Sequence, residues 1–235
     1  MDAPNRGILN CVAVVVLTLT VPAAPATELC TSCADCEAKL ASGLYPIVEL
    51  ANDIIDHPGT CIRLDQAESG LTFDCAGHLI DGDGLAANPV RGIAMLHGDS
   101  NTITNCLISD FTSAIYLVET NDMTIIDNHM IDNNIGIDMS YADGNHISGN
   151  TVQEAFSGIK FSNSSNNLVE FNTFCDNFPW DIYFASGLDN EGYDNICGVT
   201  YYWNDVGASD CTYACGVFAD GFEDGGFGDW IVVTD

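Results

Sequence analysis

Three features of the sequence predict an all-β solenoid, a parallel β-helix. The first is a repeat of 22 residues, at which four separate columns of apolar residues recur. The second is strand spacing, because segments such as "GIDM" and "GIKF" place apolar residues two apart and no repeat contains a long helical pattern. The third is the Asn, Asp and Gly between these segments, which is typical of tight corners. The four columns are Ile103, Ile125, Ile147 and Val169; Ile93, Ile115, Ile137 and Ile159; Ile108, Met130, Val152 and Phe174; and Met95, Leu117, Met139 and Phe161.

Each repeat is predicted to form short strands joined by corners, and successive turns stack about 4.8 Å apart. Asn tolerates left-handed corner geometry, and its amide can bond to the same amide in the next turn. We therefore expect an Asn ladder at one corner and a tight position rich in Gly before one of the strands. The ladder column is Cys106, Asn128, Asn150 and Asn172, and the tight column is Gly92, Ala114, Gly136 and Gly158. We expect roughly six or seven turns within residues 45–205.

The N-terminal segment predicts export. Residues 1–26 contain Arg6, the apolar run 11–19 and the small-residue sequence "APA" at 24–26, which together are typical of a signal peptide. A signal anchor is the alternative interpretation. The apolar run is too short for an ordinary membrane span, and no later stretch is apolar enough to cross a bilayer. A secreted, periplasmic or cell-surface location follows.

Both ends of the predicted coil have their own segments, as solenoids require caps. Residues 27–44 are predicted to form an N-terminal cap, in which "CADCEAKLASG" (33–43) has a short helical pattern that ends in Gly. After residue 175 the repeat slips, because Ile182 follows Ile159 by 23 residues. Residues 206–235 form an acidic tail rich in Gly and Asp that also contains Cys. We expect this tail to be an extension with little fold of its own, with a docked strand as the alternative.

The charge of the chain limits its partners. The formal net charge is −29, with only five Lys and Arg residues. Nucleic acid is excluded as a partner because phosphate binding needs clustered basic groups. Anionic membrane surfaces are disfavoured for the same reason, whereas cation binding is compatible with this charge.

The cysteines predict disulfides. Of eleven cysteines, ten remain if Cys11 leaves with the signal peptide, and an even number in an exported chain favours disulfide pairing. The spacing of Cys30, Cys33 and Cys36 also resembles that of a structural zinc site, although no matching second half follows. The pairing of the ten cysteines stays open at this point.

The segments "LTFDCAGHLIDGDG" (71–84), "NTITNCLI", "TIIDNHMI", "HISGNTV" and "LVEFNTF" resemble right-handed parallel β-helix proteins of the NosD-like, pectin-lyase-like superfamily. The resemblance covers roughly residues 45–205 and implies right-handed coiling. It also implies carbohydrate binding or sugar hydrolysis as function classes. Its NosD-like members imply a different class, a periplasmic accessory for copper-site assembly. Copper would need His, Met or Cys, yet His129 and His146 are 17 residues apart and so do not stack.

One outward row carries the candidate binding site. Side chains alternate along a strand, so the residues between the Ile93 and Met95 columns face outward. They are Ala94, Tyr116, Asp138, Lys160 and, after the slip, Tyr183. Aromatic rings can stack on sugars, and Asp and Lys can bond to hydroxyl or carboxylate groups. A neighbouring column adds His97, Glu119 and Tyr141. The alternative is an Asp–Lys pair and solvated Tyr side chains without a ligand.

A second column is wholly acidic and consists of Asp110, Asp132, Glu154 and Asp176. Stacked carboxylates repel each other unless a cation bridges them or they point into water. Such oxygen ligands suit Ca²⁺, so these residues form a candidate calcium site. As an alternative, Asp and Asn favour such corners for local hydrogen-bonding reasons alone.

These features lead to one main functional hypothesis and two alternatives. The main hypothesis is an exported protein that binds an acidic or neutral polysaccharide through Tyr116, Tyr183 and Tyr141 beside Asp138 and Lys160. An enzyme is the less favoured alternative, either a glycosidase or a polysaccharide lyase in which Lys160 and Asp138 are the catalytic pair. The other alternative is a NosD-like accessory or structural module. Short turns, with no insertion above one residue between 91 and 178, argue against a deep catalytic groove.

Overall fold

The computed structural model describes residues 26–65, 69–84 and 89–216. In this part of the chain one helix, α1 (Cys33–Ala41), accompanies 23 short strands. In chain order the strands are β1 (Thr27–Cys30), β2 (Ile47–Leu50), β3 (Ile54–His57), β4 (Ile62–Asp65), β5 (Thr72–Asp74), β6 (Leu79–Gly82), β7 (Arg91–Leu96), β8 (Thr102–Thr104), β9 (Leu107–Ser109), β10 (Ser113–Val118), β11 (Thr124–Ile126), β12 (His129–Ile131), β13 (Ile135–Ser140), β14 (His146–Ser148), β15 (Thr151–Gln153), β16 (Ser157–Ser162), β17 (Leu168–Glu170), β18 (Thr173–Phe174), β19 (Trp180–Phe184), β20 (Glu191–Tyr193), β21 (Ile196–Cys197), β22 (Thr200–Tyr201) and β23 (Tyr213–Ala214).

The strands form three parallel sheets that run along the solenoid. Sheet 1 has the order β1-β2-β5-β8-β11-β14-β17-β20, sheet 2 the order β4-β7-β10-β13-β16-β19-β22, and sheet 3 the order β3-β6-β9-β12-β15-β18-β21-β23. Each complete turn contributes one strand to each sheet, as β11, β12 and β13 do. The predicted all-β, right-handed parallel β-helix with a short helical cap is confirmed.

The coil has about eight turns, whereas the sequence predicts six or seven. The difference arises where turn length departs from 22 residues. Ile62 pairs with Ile93 across a turn that contains extra residues, and Thr27 pairs with Ile47 only 20 residues later. Such irregular turns leave no periodic signal. Strand pairing therefore begins at Thr27 and continues to Ala214.

The apolar columns lie in the core as predicted. All sixteen side chains of the four columns are buried, fifteen with no exposed surface and Met95 with 2%. Register follows the repeat, since Ile115 pairs with Ile93 on one side and with Ile137 on the other. The slip at Ile182 is absorbed without loss of register, because Ile182 pairs with Ile159. Burial of this continuous apolar interior is the main force that holds the short strands in place.

The Asn ladder is present and longer than predicted. The backbone N–H and side-chain Nδ2 of Asn128 both donate to Oδ1 of Asn150 at 3.0 Å, and Asn150 and Asn172 repeat the pattern. A further rung at Asn195 extends the ladder toward the C-terminal end. Because each amide also donates to backbone carbonyls, the buried corner groups have partners.

The predicted cap is an α-helix with a conventional start. Ser32 is its N-cap residue and accepts a hydrogen bond from the Asp35 N–H at 3.3 Å. Leu40 is buried beneath the helix, so α1 covers the N-terminal end of the core. The predicted signal peptide, residues 1–26, lies outside the described residues except for its last residue, Ala26. The part of the predicted tail beyond residue 216 also lies outside them.

All ten cysteines of the described residues form disulfides, as predicted. Two bonds fix the N-terminal cap, one joins neighbouring turns at the start of the Asn ladder, and two fix the C-terminal turns. The pairs are Cys30–Cys36, Cys33–Cys61, Cys75–Cys106, Cys175–Cys215 and Cys197–Cys211. The bonds therefore concentrate where the regular 22-residue stacking begins and ends.

Candidate functional site

The outer face of sheet 2 holds the predicted row. Tyr116 pairs with Asp138, Asp138 with Lys160, and Lys160 with Tyr183 on successive strands. Tyr201 continues the row beyond Tyr183. All five side chains are partly exposed. We call these five residues together with Arg91 and Trp180 the sheet 2 face.

Asp138 lies in the middle of this face and is the most buried of its charged groups. Its side chain is 14% exposed, and its Oδ1 lies 3.8 Å from the Nζ of Lys160. Burial raises the pKa of the Asp138 carboxyl above its ordinary value, against the opposing effect of Lys160. Arg91 also acts against this rise through its charge. The carboxyl thus lies between two cations but loses more from desolvation than it gains from them.

Arg91 is part of the face, although the sequence did not reveal it. Its guanidinium carbon lies 3.9 Å from the centre of the Tyr116 ring, which is a cation–π contact. Nη1 donates to the carbonyl of Pro89 at 3.3 Å. The buried Nε has no hydrogen-bond partner among the described residues. The stacking therefore orients the guanidinium beside the predicted row.

Aromatic rings gather at the C-terminal end of the face. The rings of Tyr183 and Tyr201 stack with centres 5.0 Å apart, and Trp180 lies 5.1 Å from Tyr201. Tyr202 contacts the edge of Tyr201 at 4.4 Å. Only Tyr183 of this cluster was predicted. Tyr201 follows Tyr183 by 18 residues rather than 22, so the repeat could not indicate it.

Tyr141 lies beside the face rather than on it. It occupies the corner directly after β13, with a φ of 52° and 57% of its surface exposed. The same corner in earlier turns holds His97 and Glu119, whose side chains approach to 3.1 Å between Nδ1 and Oε2. The structure thus separates this corner column from Tyr116 and Tyr183.

The acidic column lies at a different corner, after the strands of sheet 3. Asp110, Asp132, Glu154 and Asp176 all have positive φ, between 55° and 62°. They line an open groove together with Phe156 and Phe178. The charge of Asp132 raises the pKa of Glu154, and burial followed by the charge of Asp81 raises that of Asp110. The negative charge of Asp132 therefore disfavours the ionised form of Glu154.

The described residues contain no group of three or more His, Cys, Asp or Glu side chains arranged to hold a metal ion. The acidic column is a row rather than a converging cluster, and its role as a calcium site stays a prediction. In the same part of the chain, no helix has the length and apolar character to cross a membrane.

Two grooves formed by the described residues lie away from Lys160. One is the acidic groove, and the other is lined by residues around Asn105 and Leu107 at the corner between sheets 1 and 3. The sheet 2 face contributes to neither groove. Its side chains are partly exposed on the outer surface of sheet 2.

A continuous coil of three parallel sheets defines a right-handed parallel β-helix protein. Within this class the chain belongs to the NosD family. The family described as "Periplasmic copper-binding protein (NosD)" matches residues 42–220. No curated protein matches the chain. Because disulfides persist in oxidising compartments, the five disulfides place the protein outside the cytoplasm, in agreement with this family.

Several solved structures are similar in fold. An alginate lyase from Paenibacillus sp. str. FPU-7 is 16% identical, covers 72% of this chain and 75% of its own, and has a TM-score of 0.49. A DFA-IIIase from Arthrobacter chlorophenolicus A6 in complex with DFA-III is 15% identical over 72% of this chain and 43% of its own, with a TM-score of 0.45. The catalytic domain of a GH87 alpha-1,3-glucanase is 14% identical over 85% of this chain and 46% of its own, with a TM-score of 0.34. The chain thus spans less than half the length of the last two.

The described residues do not fit the copper that the family description names. Their ten cysteines are all in disulfides, and Met95, Met123, Met130 and Met139 are buried in the core. Three of the histidines each pair with a single carboxylate: His78 with Asp53, His97 with Glu119 and His146 with Glu170. Copper sites need several converging His, Met or Cys ligands, and the described residues contain no group of three or more His, Cys, Asp or Glu side chains that could hold a metal ion.

Proposed function

We propose that this protein is an exported polysaccharide-binding protein that holds its ligand on the sheet 2 face. The observation that carries the proposal is the unbroken row of Tyr116, Asp138, Lys160, Tyr183 and Tyr201, one residue per turn. The rungs are about 4.8 Å apart, so an extended chain along the solenoid axis meets a new side chain at each turn. Secretion, the periplasm or the cell surface are all compatible locations.

The chemistry of the face suits sugars. The rings of Tyr183, Tyr201 and Trp180 offer apolar surfaces with polar edges, the combination that binding sites use for amphipathic ligands. Asp138 and Lys160 supply an acceptor and donors for hydroxyl groups. The face suits a long chain because its side chains recur on successive turns along the solenoid axis.

The test is glycan-array binding by the purified full chain. The double variant Tyr116→Ala, Tyr183→Ala should lose binding that the wild type shows, because both rungs on either side of the charged pair lose their rings. Tyr213→Ala is the control, since Tyr213 is a more exposed tyrosine on sheet 3, away from the sheet 2 face. If the wild type binds no glycan, the proposal is wrong and a structural or accessory role takes its place.

The Lys160–Asp138 pair favours one second candidate, a polysaccharide lyase. Its ammonium and its desolvated carboxyl lie 3.8 Å apart on the same exposed face, where either group could accept or deliver a proton. Incubation with uronic-acid polysaccharides should then produce unsaturated sugars that absorb ultraviolet light, and Lys160→Met should abolish the product. Binding without such product assigns the face to recognition alone.

A further inference from the structure

The basic side chains of the strands are concentrated on sheet 2. Arg63, Arg91 and Lys160 are the only Lys or Arg residues within the described strands, and all three belong to this sheet. The strands of sheet 1 contain five acidic residues and those of sheet 3 contain two, with no Lys or Arg in either. Sheet 2 has three Asp residues to balance its three cations, so it is the one sheet without a net negative formal charge.

The three Asp residues of sheet 2 reduce this positive character unequally. Asp181 is buried and accepts backbone hydrogen bonds from Gly198 and Val199, so it does not face a ligand. Asp65 pairs with Arg63 at 3.3 Å. Asp138 lies between Tyr116 and Lys160 and places a carboxyl group 3.8 Å from the Lys160 ammonium. A molecule with a net charge of −29 therefore concentrates the cations of its described strands on sheet 2.

From this distribution of charge we propose that the ligand of the sheet 2 face is an anionic glycan. This inference rests on the proposed function. Arg91 is positioned to bind its acidic groups, because stacking on Tyr116 orients a guanidinium whose fork matches carboxylate or sulfate geometry. Lys160 provides a second cation on β16, and about 14 Å separates this strand from β7, three strands away in the sheet.

Asp138 limits where the anionic groups of the ligand can lie. It occupies the rung between Tyr116 and Lys160 and is largely shielded from water, so an acidic group placed directly over it would be repelled. The ligand is thus expected to place its acidic groups toward Arg91 and Lys160 and a neutral, hydroxyl-rich part over Asp138. The aromatic rings at Tyr183 and Tyr201 then receive the neutral face of a further sugar.

The experiment compares matched ligands by calorimetric titration of the full chain. The probes are a uronic-acid hexasaccharide, its carboxyl-reduced neutral counterpart and a sulfated glycan of similar length. We expect the hexauronate to bind about tenfold more tightly than the neutral counterpart. Arg91→Gln and Lys160→Gln should each remove most of that preference. Lys39→Gln, which changes a cation on α1 that pairs with Glu28 and Asp35, should retain it.

The outcomes separate this inference from the proposed function. Equal or tighter binding of the neutral hexasaccharide overturns the inference and leaves polysaccharide binding intact. Absence of binding by all three probes overturns both. A preference for the sulfated glycan over the hexauronate assigns the anionic groups to sulfate esters, whereas the reverse assigns them to carboxylates. If Arg91→Gln does not fold, the exposed Arg63→Gln on the neighbouring strand β4 tests the same end of sheet 2. Retention of the full preference in both Arg63→Gln and Lys160→Gln then contradicts the inference.

Discussion

The Asn195 amide ends its ladder on the carboxylate of Asp205. Nδ2 of Asn195 donates to Oδ1 of Asp205 at 2.9 Å, and its backbone N–H donates to Oδ2 at 3.0 Å. Each Asn of the ladder needs an acceptor on its C-terminal side, and a carboxylate is the side chain that offers only acceptors. Asp205 also accepts from the Trp203 indole and from Thr212, so one buried group completes the final corner.

Asp205→Ala should therefore destabilise the protein strongly. The substitution leaves several buried donors without a partner, and we expect the free energy of unfolding to fall by about 3 kcal/mol. Urea denaturation followed by circular dichroism measures this change. Asp83→Ala, at an exposed acidic residue, serves as the control and should change the stability little. Equal effects of the two variants would mean that the ladder does not depend on its terminal carboxylate.

Gly136→Ala tests the tight column that the sequence predicts. A Cβ at Gly136 would lie 2.5 Å from the Gly158 carbonyl oxygen and would also clash with Val152. Because the carbonyl belongs to the backbone of the next turn, relief requires the turns to separate, and we expect a loss of about 2 kcal/mol. Ser140→Ala, at a partly exposed position on the same strand, is the matched control. Thermal melting of both variants decides the question, and an unchanged melting temperature for Gly136→Ala would contradict this steric account.

The acidic column should make stability fall as the pH rises. The charge of Asp132 raises the folded-state pKa of Glu154 above its ordinary 4.5, so the folded protein binds this proton more tightly than the unfolded chain. The destabilising contribution of ionised Glu154 is absent below the pKa that Glu154 has in the unfolded chain. This contribution develops as the pH rises through the pKa of Glu154 in the folded protein. Asp132→Asn should raise the melting temperature at about pH 7 and leave it unchanged at about pH 3. A lower melting temperature at neutral pH would show that repulsion is not the dominant effect.

The same column provides the test of calcium. If Asp110, Asp132, Glu154 and Asp176 bind Ca²⁺, millimolar CaCl₂ should raise the melting temperature of the wild type and a chelator should reverse the rise. Asp132→Asn should reduce the response. No shift on addition of CaCl₂ would show that the calcium prediction is wrong.

Asp138→Asn should also stabilise the protein at neutral pH. Burial holds the folded-state pKa of Asp138 above its ordinary 3.8, so ionisation of the carboxyl costs stability as pH rises through that folded value. The neutral amide removes this cost at about pH 7 and makes no difference at about pH 3. Melting curves across this range measure the effect. Lys160→Met is the opposite control, since removal of the nearby cation should steepen the loss of stability with pH.

The repeat made most of the fold predictable because identical turns impose identical demands. The Ile115 column had to be apolar, and Asn150 had to hydrogen-bond to the same residue one turn away. Where turns differ, no such rule applies. Asp205 follows Asn195 by 10 residues yet takes the place of the next ladder member. Likewise, Arg91 comes to Tyr116 through side-chain stacking between neighbouring strands, and neither its spacing nor its residue type signals this contact.

The uniform register of β10, β13 and β16 has a consequence for engineering the ligand-binding length. Ser113 pairs with Ile135 and Ile135 with Ser157, so each turn presents the same edge to both neighbours. Deletion of residues 129–150 should let β10 pair directly with β16 and shorten the molecule by one rung, about 4.8 Å. Tyr116 would then adjoin Lys160 with no carboxylate between them. The length of the sheet 2 face and the order of its charged residues can thus be changed by deletion or insertion of single turns.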